Sequence, residues 1–124
     1  MKKITRQYAR DRIAEKVMGW HRGLIHTDPF TVERDGWIKD EEYMCDYCQW
    51  LPDRNANQRD RMLEAWRLQD EDNRYYMMVY DIHLGKRVVL CGFDSLLCSS
   101  GEFNEAATLA VMKWLDGEKY EFED

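Results

Sequence analysis

Two stretches constrain this chain most: RYYMMVYDI at 74–82 and KRVVLCGF at 86–93. Both are rich in β-branched and aromatic residues, and the short His83-Leu84-Gly85 link predicts an antiparallel hairpin. Alternation along the first strand puts Tyr75, Met77 and Val79 on one face and Tyr76, Met78, Tyr80 and Ile82 on the other. On the second strand, Val88 and Leu90 oppose Val89, Cys91 and Phe93. Both faces of both strands are apolar. A sheet with one face in water alternates apolar with polar, so this one calls for a cover on each side.

Helical stripes supply the covers. Ala9, Ile13, Val17 and Trp20 recur at steps of four, four and three, predicting a helix over 4–19 that ends at Gly19. A second helix is predicted over 56–69, capped by Asn55 or Asn57, with Met62, Leu63 and Trp66 on its inner side. A third opens near Asn104 and buries Phe103, Ala107, Ala110, Val111 and Trp114, ending at Gly117. Ser99-Ser100-Gly101 reads as the turn before it. Between the first two helices, Asp28-Pro29 and Asp35-Gly36 are turn signals, with Phe30–Glu33 and Gly36–Lys39 as an earlier hairpin. The predicted fold is α+β: an α/β/α sandwich of order α-β-β-α-β-β-α, its largely antiparallel sheet covered by helices on both faces. One domain spans 1–118, followed by an acidic C-terminal tail at 119–124.

Charge is unevenly placed. The 124 residues sum to −6, but residues 1–22 carry seven Lys/Arg against Asp11 and Glu15, or +5, which leaves −11 for the rest. An acidic body repels phosphate backbones, so direct nucleic-acid binding is not expected. The basic stretch has two readings. It lies on acidic groups of its own molecule or is simply solvated, or else the acidic face docks on a basic partner by imitating nucleic acid. No apolar run approaches the roughly 18–20 residues of a membrane helix, and no apolar stretch follows the basic start as in a secretory leader. The expected setting is a reducing cytoplasm with the four cysteines as thiols.

The segment EYMCDYCQWLPD at 41–52 holds Cys45 and Cys48 among Tyr43, Tyr47 and Trp50. As a zinc clip it is half a site, because Cys91 and Cys98 lack clip spacing and His21, His26 and His83 are scattered. As a redox pair it lacks a helix start at the cysteines, and Asp46 with the acids at 40–42 opposes a thiolate. Small buried residues beside aromatics is the plainer reading. Catalysis finds little support. No nucleophile elbow or phosphate-cradling glycine loop is present, and Asp81 with His83 has no accompanying nucleophile. Five Trp and seven Tyr point instead to binding. The candidate partner-binding residues are Trp37, Tyr43, Tyr47 and Trp50, with Glu41, Glu42 and Asp46. The competing reading has the aromatics capping an open sheet edge.

AEKVMGWH (14–21), WLPD (50–53) before DRMLEAWRL (60–68), the hairpin and FNEAATLAVMKWLDGE (103–118) together resemble the phage ABA sandwich domain family of small phage and prophage proteins. The resemblance implies the sandwich fold and a phage origin, and it carries no catalytic residues. The expectation is a non-catalytic phage or prophage accessory protein, without cofactor, in the host cytoplasm. It would bind a host or phage protein, in the sharpest form as a counter-defence inhibitor of a host nucleic-acid-handling complex. Neither nucleic acid nor membrane is an expected partner, and an exposed strand edge leaves a homodimer open. The alternative is a small-ligand-binding or zinc-stabilised module using Cys45 and Cys48.

Overall fold

The computed structural model describes residues 1–27, 32–81, 85–91, 96–100 and 102–124. Asp28-Pro29, Phe30, Ile82, His83-Leu84, Phe93 and Gly101, each given a place above, lie outside the described residues, as do the side chains of His26, Val79, Tyr80, Asp81, Val88, Val89, Leu90, Cys91 and Cys98. The chain runs β1 (Lys2–Ile4), α1 (Arg6–Lys16), β2 (His21–Thr27), β3 (Val32–Lys39) and β4 (Glu42–Asp46). A single 3-10 turn (Tyr47–Gln49) and α2 (Ala56–Arg67) follow. Then come β5 (Tyr75–Asp81), β6 (Gly85–Cys91), β7 (Leu96–Ser100), α3 (Phe103–Asp116) and β8 (Tyr120–Phe122). The fold is α+β, with antiparallel sheets β2-β3-β4 and β5-β6-β7 and a parallel pair β1-β8. Strands β1, β4, β7 and β8 are additional to the seven-element order read from the sequence.

The helices form where the stripes place them. Thr5 caps α1 by accepting from the Tyr8 amide at 3.0 Å, and Asn55 caps α2 by accepting from the Gln58 amide at 3.0 Å. Ala9, Ile13, Val17 and Trp20 are all buried, and Gly19 takes the left-handed backbone (φ +72°) expected past a helix end. Helix α3 departs from its one-sided stripe. Every residue from Ala106 to Met112 is buried, because α3 packs on β6 and β7 on one side and on α1 and α2 on the other. A helix apolar all round is an interior helix, and AATLAVM carries that signal. Its cap is Glu102 rather than Asn104, whose side-chain oxygen accepts from Arg59 Nη1 at 2.9 Å.

The first hairpin differs from its prediction. Asp35-Gly36 is not a turn but lies inside β3, where Gly36 pairs with both Gly23 and Asp46. A Cβ on Gly36 would sit 2.7 Å from the Tyr43 ring and 2.8 Å from the Cys45 carbonyl, so the glycine marks a close approach in the strand. The tight turn falls at Asp40-Glu41, where φ is +51° and +66°, and Lys39 pairs with Glu42 across it. Two left-handed residues make a two-residue hairpin loop that ordinarily carries Asn-Gly. Asp40→Asn with Glu41→Gly is therefore expected to stabilise the fold by about 1 kcal/mol, read from the urea midpoint. A loss of stability would mean the turn is held otherwise.

Residues 119–124 are not a loose tail. Tyr120, Glu121 and Phe122 pair in parallel with Lys2, Lys3 and Ile4, and the Glu123 amide donates to the Ile4 carbonyl at 2.9 Å. Ser99 and Ser100 lie in β7 rather than in a turn. Among the described residues, no helix is long and apolar enough to cross a membrane.

Candidate functional site

The three arginines of the basic first helix pair with acids of their own molecule. Asp53, with its side chain 0% exposed, receives Arg10 Nε at 2.7 Å, Arg10 Nη2 at 2.9 Å and Arg6 Nη1 at 3.1 Å. Arg6 also donates to Glu105 at 2.9 Å and to Asp124 at 3.0 Å, and its guanidinium lies 4.5 Å from the centre of the Phe122 ring. Arg12 pairs with Asp116, which also accepts from the Tyr120 hydroxyl at 2.8 Å. Arg22 pairs with Asp35 at 2.5 Å, and Lys2 reaches Glu118 at 3.7 Å. The internal contacts of the first reading of the basic stretch are thus present for Lys2, Arg6, Arg10, Arg12 and Arg22.

These pairings set a pH dependence. Burial pushes the Asp53 carboxyl up, but Arg10 and Arg6 outweigh it and hold the group below the ordinary carboxylate range. The Tyr120 hydroxyl and Arg12 likewise overcome burial at Asp116, while Arg6 lowers Asp124. A lowered folded-state pKa gives stability that is complete above the unfolded value and is lost as pH falls through the folded one. The thermal midpoint is therefore expected to hold near neutrality and to fall below about pH 4. A midpoint that rises on acidification would contradict the pairing.

The aromatic segment divides in two. Trp37 and Trp50 are each 1% exposed, so both leave the predicted interface and join the core. Trp50 donates from Nε1 to the Arg10 carbonyl at 3.2 Å and meets Trp20 edge-on, centroids 4.7 Å apart. Its partner is thus a helix some 40 residues upstream. Trp37 lies 5.6 Å from the Tyr47 ring. Tyr47 is half-buried, its hydroxyl donating to Asp11 at 3.0 Å and its ring 3.6 Å from the Arg22 guanidinium. Burial and Asp11 push that hydroxyl above its ordinary value.

Tyr43 stays outside. It is 41% exposed, its hydroxyl donates to Asp46, and Arg34 both pairs with Asp46 at 3.1 Å and stands 5.9 Å from the ring centre. Partial burial and the Asp46 carboxylate push the Tyr43 hydroxyl up to about 12, so it stays a donor at physiological pH. Asp40, Glu41 and Glu42 are exposed at the adjoining turn, with no ion pair among the described residues. Of the predicted set, the structure thus brings Glu41, Glu42 and Tyr43 together at one hairpin tip, with Asp46 at the far end of β4, reached by the Tyr43 hydroxyl.

Cys45 is half-buried opposite Trp37, and Cys48 is exposed; both are free thiols. Burial raises the Cys45 thiol, Asp46 and Cys48 add to it, and Arg61 opposes, which disfavours a reactive thiolate. Among the described residues no three His, Cys, Asp or Glu side chains gather as a metal site. An open recess of about 340 Å³ lies beside Lys2, Lys3, Ile4, Thr5 and Tyr8. Thr5 there is engaged by the Tyr8 amide and Lys2 by Glu118.

Sequence reasoning passed over Asp53 and Arg6. Their signal was present: Arg6 and Arg10 stand four apart on one helix face, and Asp53 closes the WLPD motif. Comparison of the chain with protein-family models, with curated proteins and with solved structures finds no match.

Proposed function

We propose that the protein is a non-catalytic binding protein that sets the tip of its β3–β4 hairpin against a basic surface of another protein. One observation carries the reading. The arginines of α1 are engaged internally, while Asp40, Glu41 and Glu42 stand exposed and without ion pairs among the described residues, next to Tyr43. A partner with Lys or Arg can pair with the carboxylates while Tyr43 supplies a rigid, half-exposed ring and a hydroxyl donor.

The wider reading rests on the resemblance given by the packing motifs. It makes the chain an α/β/α sandwich protein of a phage or prophage, acting in the host cytoplasm on a host or phage protein. In its sharpest form the partner is a nucleic-acid-handling complex, whose basic groove an acidic hairpin fits by charge. Capture from host lysate on the immobilised protein is expected to recover a specific partner at low salt and less of it at high salt. Recovery of none at either salt would overturn the reading.

A further inference from the structure

We infer that Asp46 serves the docking tip as a positioning residue, holding the Tyr43 ring in one pose over Gly36, and is not a carboxylate offered to the partner. The inference rests on the docking reading given above. The strands bring the two side chains together by a bulge. Residues three apart on a regular strand face opposite sides of the sheet, which would part Tyr43 from Asp46. Here Tyr43 pairs with Ile38 and Asp46 with Gly36, across a register shift at Trp37/Ile38. Ile38 and Gly36 stand two apart on β3, so Met44 is the extra residue and Tyr43 and Asp46 share one face.

On that face the ring has a seat. Gly36 lies diagonal to Tyr43, and a Cβ there would stand 2.7 Å from one ring carbon and 3.3 Å from the next. At the outer end of the ring the hydroxyl donates to Asp46 Oδ1. Arg34 closes the side, with its guanidinium 5.9 Å from the ring centre and its Nη2 donating to Asp46 Oδ2 at 3.1 Å. The ring is thus held at its edge, its tip and its flank while 41% of the residue remains exposed. A ring fixed before contact gives up less side-chain freedom on docking.

The surroundings of Asp46 set it apart from the acids of the turn. Its side chain is 19% exposed, and each of its oxygens already accepts a bond. Asp40, Glu41 and Glu42 are exposed and without ion pairs among the described residues.

Nuclear Overhauser cross-peaks between the ring protons of residue 43 and the Gly36 α-protons read the pose with no partner present. They are expected in the wild type and in Asp46→Asn, which keeps an acceptor oxygen without the charge. They are expected to vanish in Asp46→Ala and in Tyr43→Phe. Tyr43→Phe leaves Asp46 untouched and decides the matter should Asp46→Ala not fold. In capture from host lysate, Asp46→Asn should hold the partner as the wild type does, and Asp46→Ala up to about tenfold less. Any other pattern of cross-peaks overturns the inference, including survival in Asp46→Ala or absence from the wild type. Loss of the partner by Asp46→Asn with its cross-peaks kept also overturns it, because the charge itself would then meet the partner. So does equal capture by Asp46→Ala and the wild type. A wild type that recovers no partner overturns the docking reading instead, and the cross-peaks alone then decide the pose.

Discussion

Asp53→Ala is expected to lower the free energy of unfolding by about 3–5 kcal/mol, because it strands two partly buried guanidiniums without their shared carboxylate. The side chain of Asp53 has no exposure, while those of Arg6 and Arg10 are 14% and 13% exposed, so water cannot replace the lost partner easily. The effect exceeds that of one broken pair. Arg6 joins the loop before α2 to α3 through Glu105 and to the last strand through Asp124 and Phe122. Equilibrium denaturation in urea measures the loss. Arg22→Ala is the contrast. Its pair with Asp35 has side chains 51% and 40% exposed, and the change is expected to cost less than about 1 kcal/mol. Equal effects from the two substitutions would mean that Asp53 is not the clasp of this fold.

Trp50→Ala is expected to cost about 3–5 kcal/mol, the range for emptying a buried tryptophan site. It removes the edge-on contact with Trp20 and the bond to the Arg10 carbonyl together. Trp50→Phe keeps most of the volume and loses the indole donor, leaving the Arg10 carbonyl short of one bond. It should cost about 1 kcal/mol. Tyr43→Ala, at a half-exposed ring, is expected to change stability by less than about 1 kcal/mol. The ordering Trp50 far above Tyr43 separates the residues that hold the segment from the residue that faces outward. A similar small effect at both positions would return Trp50 to the surface.

The helices and the second hairpin were legible because their signals are local. A stripe at 3.6-residue spacing and a run of strand-forming residues need no knowledge of what lies opposite. The contacts that escaped are those between distant segments. Three-residue strands such as β1 and β8 carry no periodicity, and they pair across nearly the whole chain. Trp50 and Asp53 look like loop residues until α1 is laid beside them. Asp35-Gly36 reads as a turn because Gly most often serves one, whereas here it makes room for the Tyr43 ring within a strand. The same local and nonlocal divide sorted the candidate site. Glu41, Glu42 and Tyr43 are exposed at a turn that the sequence signals place instead at Asp35-Gly36, while burial of Trp37 and Trp50 depended on packing partners far along the sequence.

The division between charges that hold the fold and charges that face a partner is tested most directly by reversing the second set alone. Asp40→Lys, Glu41→Lys and Glu42→Lys combined in one protein leave the Asp53 pairs untouched. Parallel capture from host lysate on the wild type and on this variant should show one partner retained by the wild type and lost by the variant, with both proteins unfolding at similar urea concentrations. The same partner retained equally by both would contradict the account.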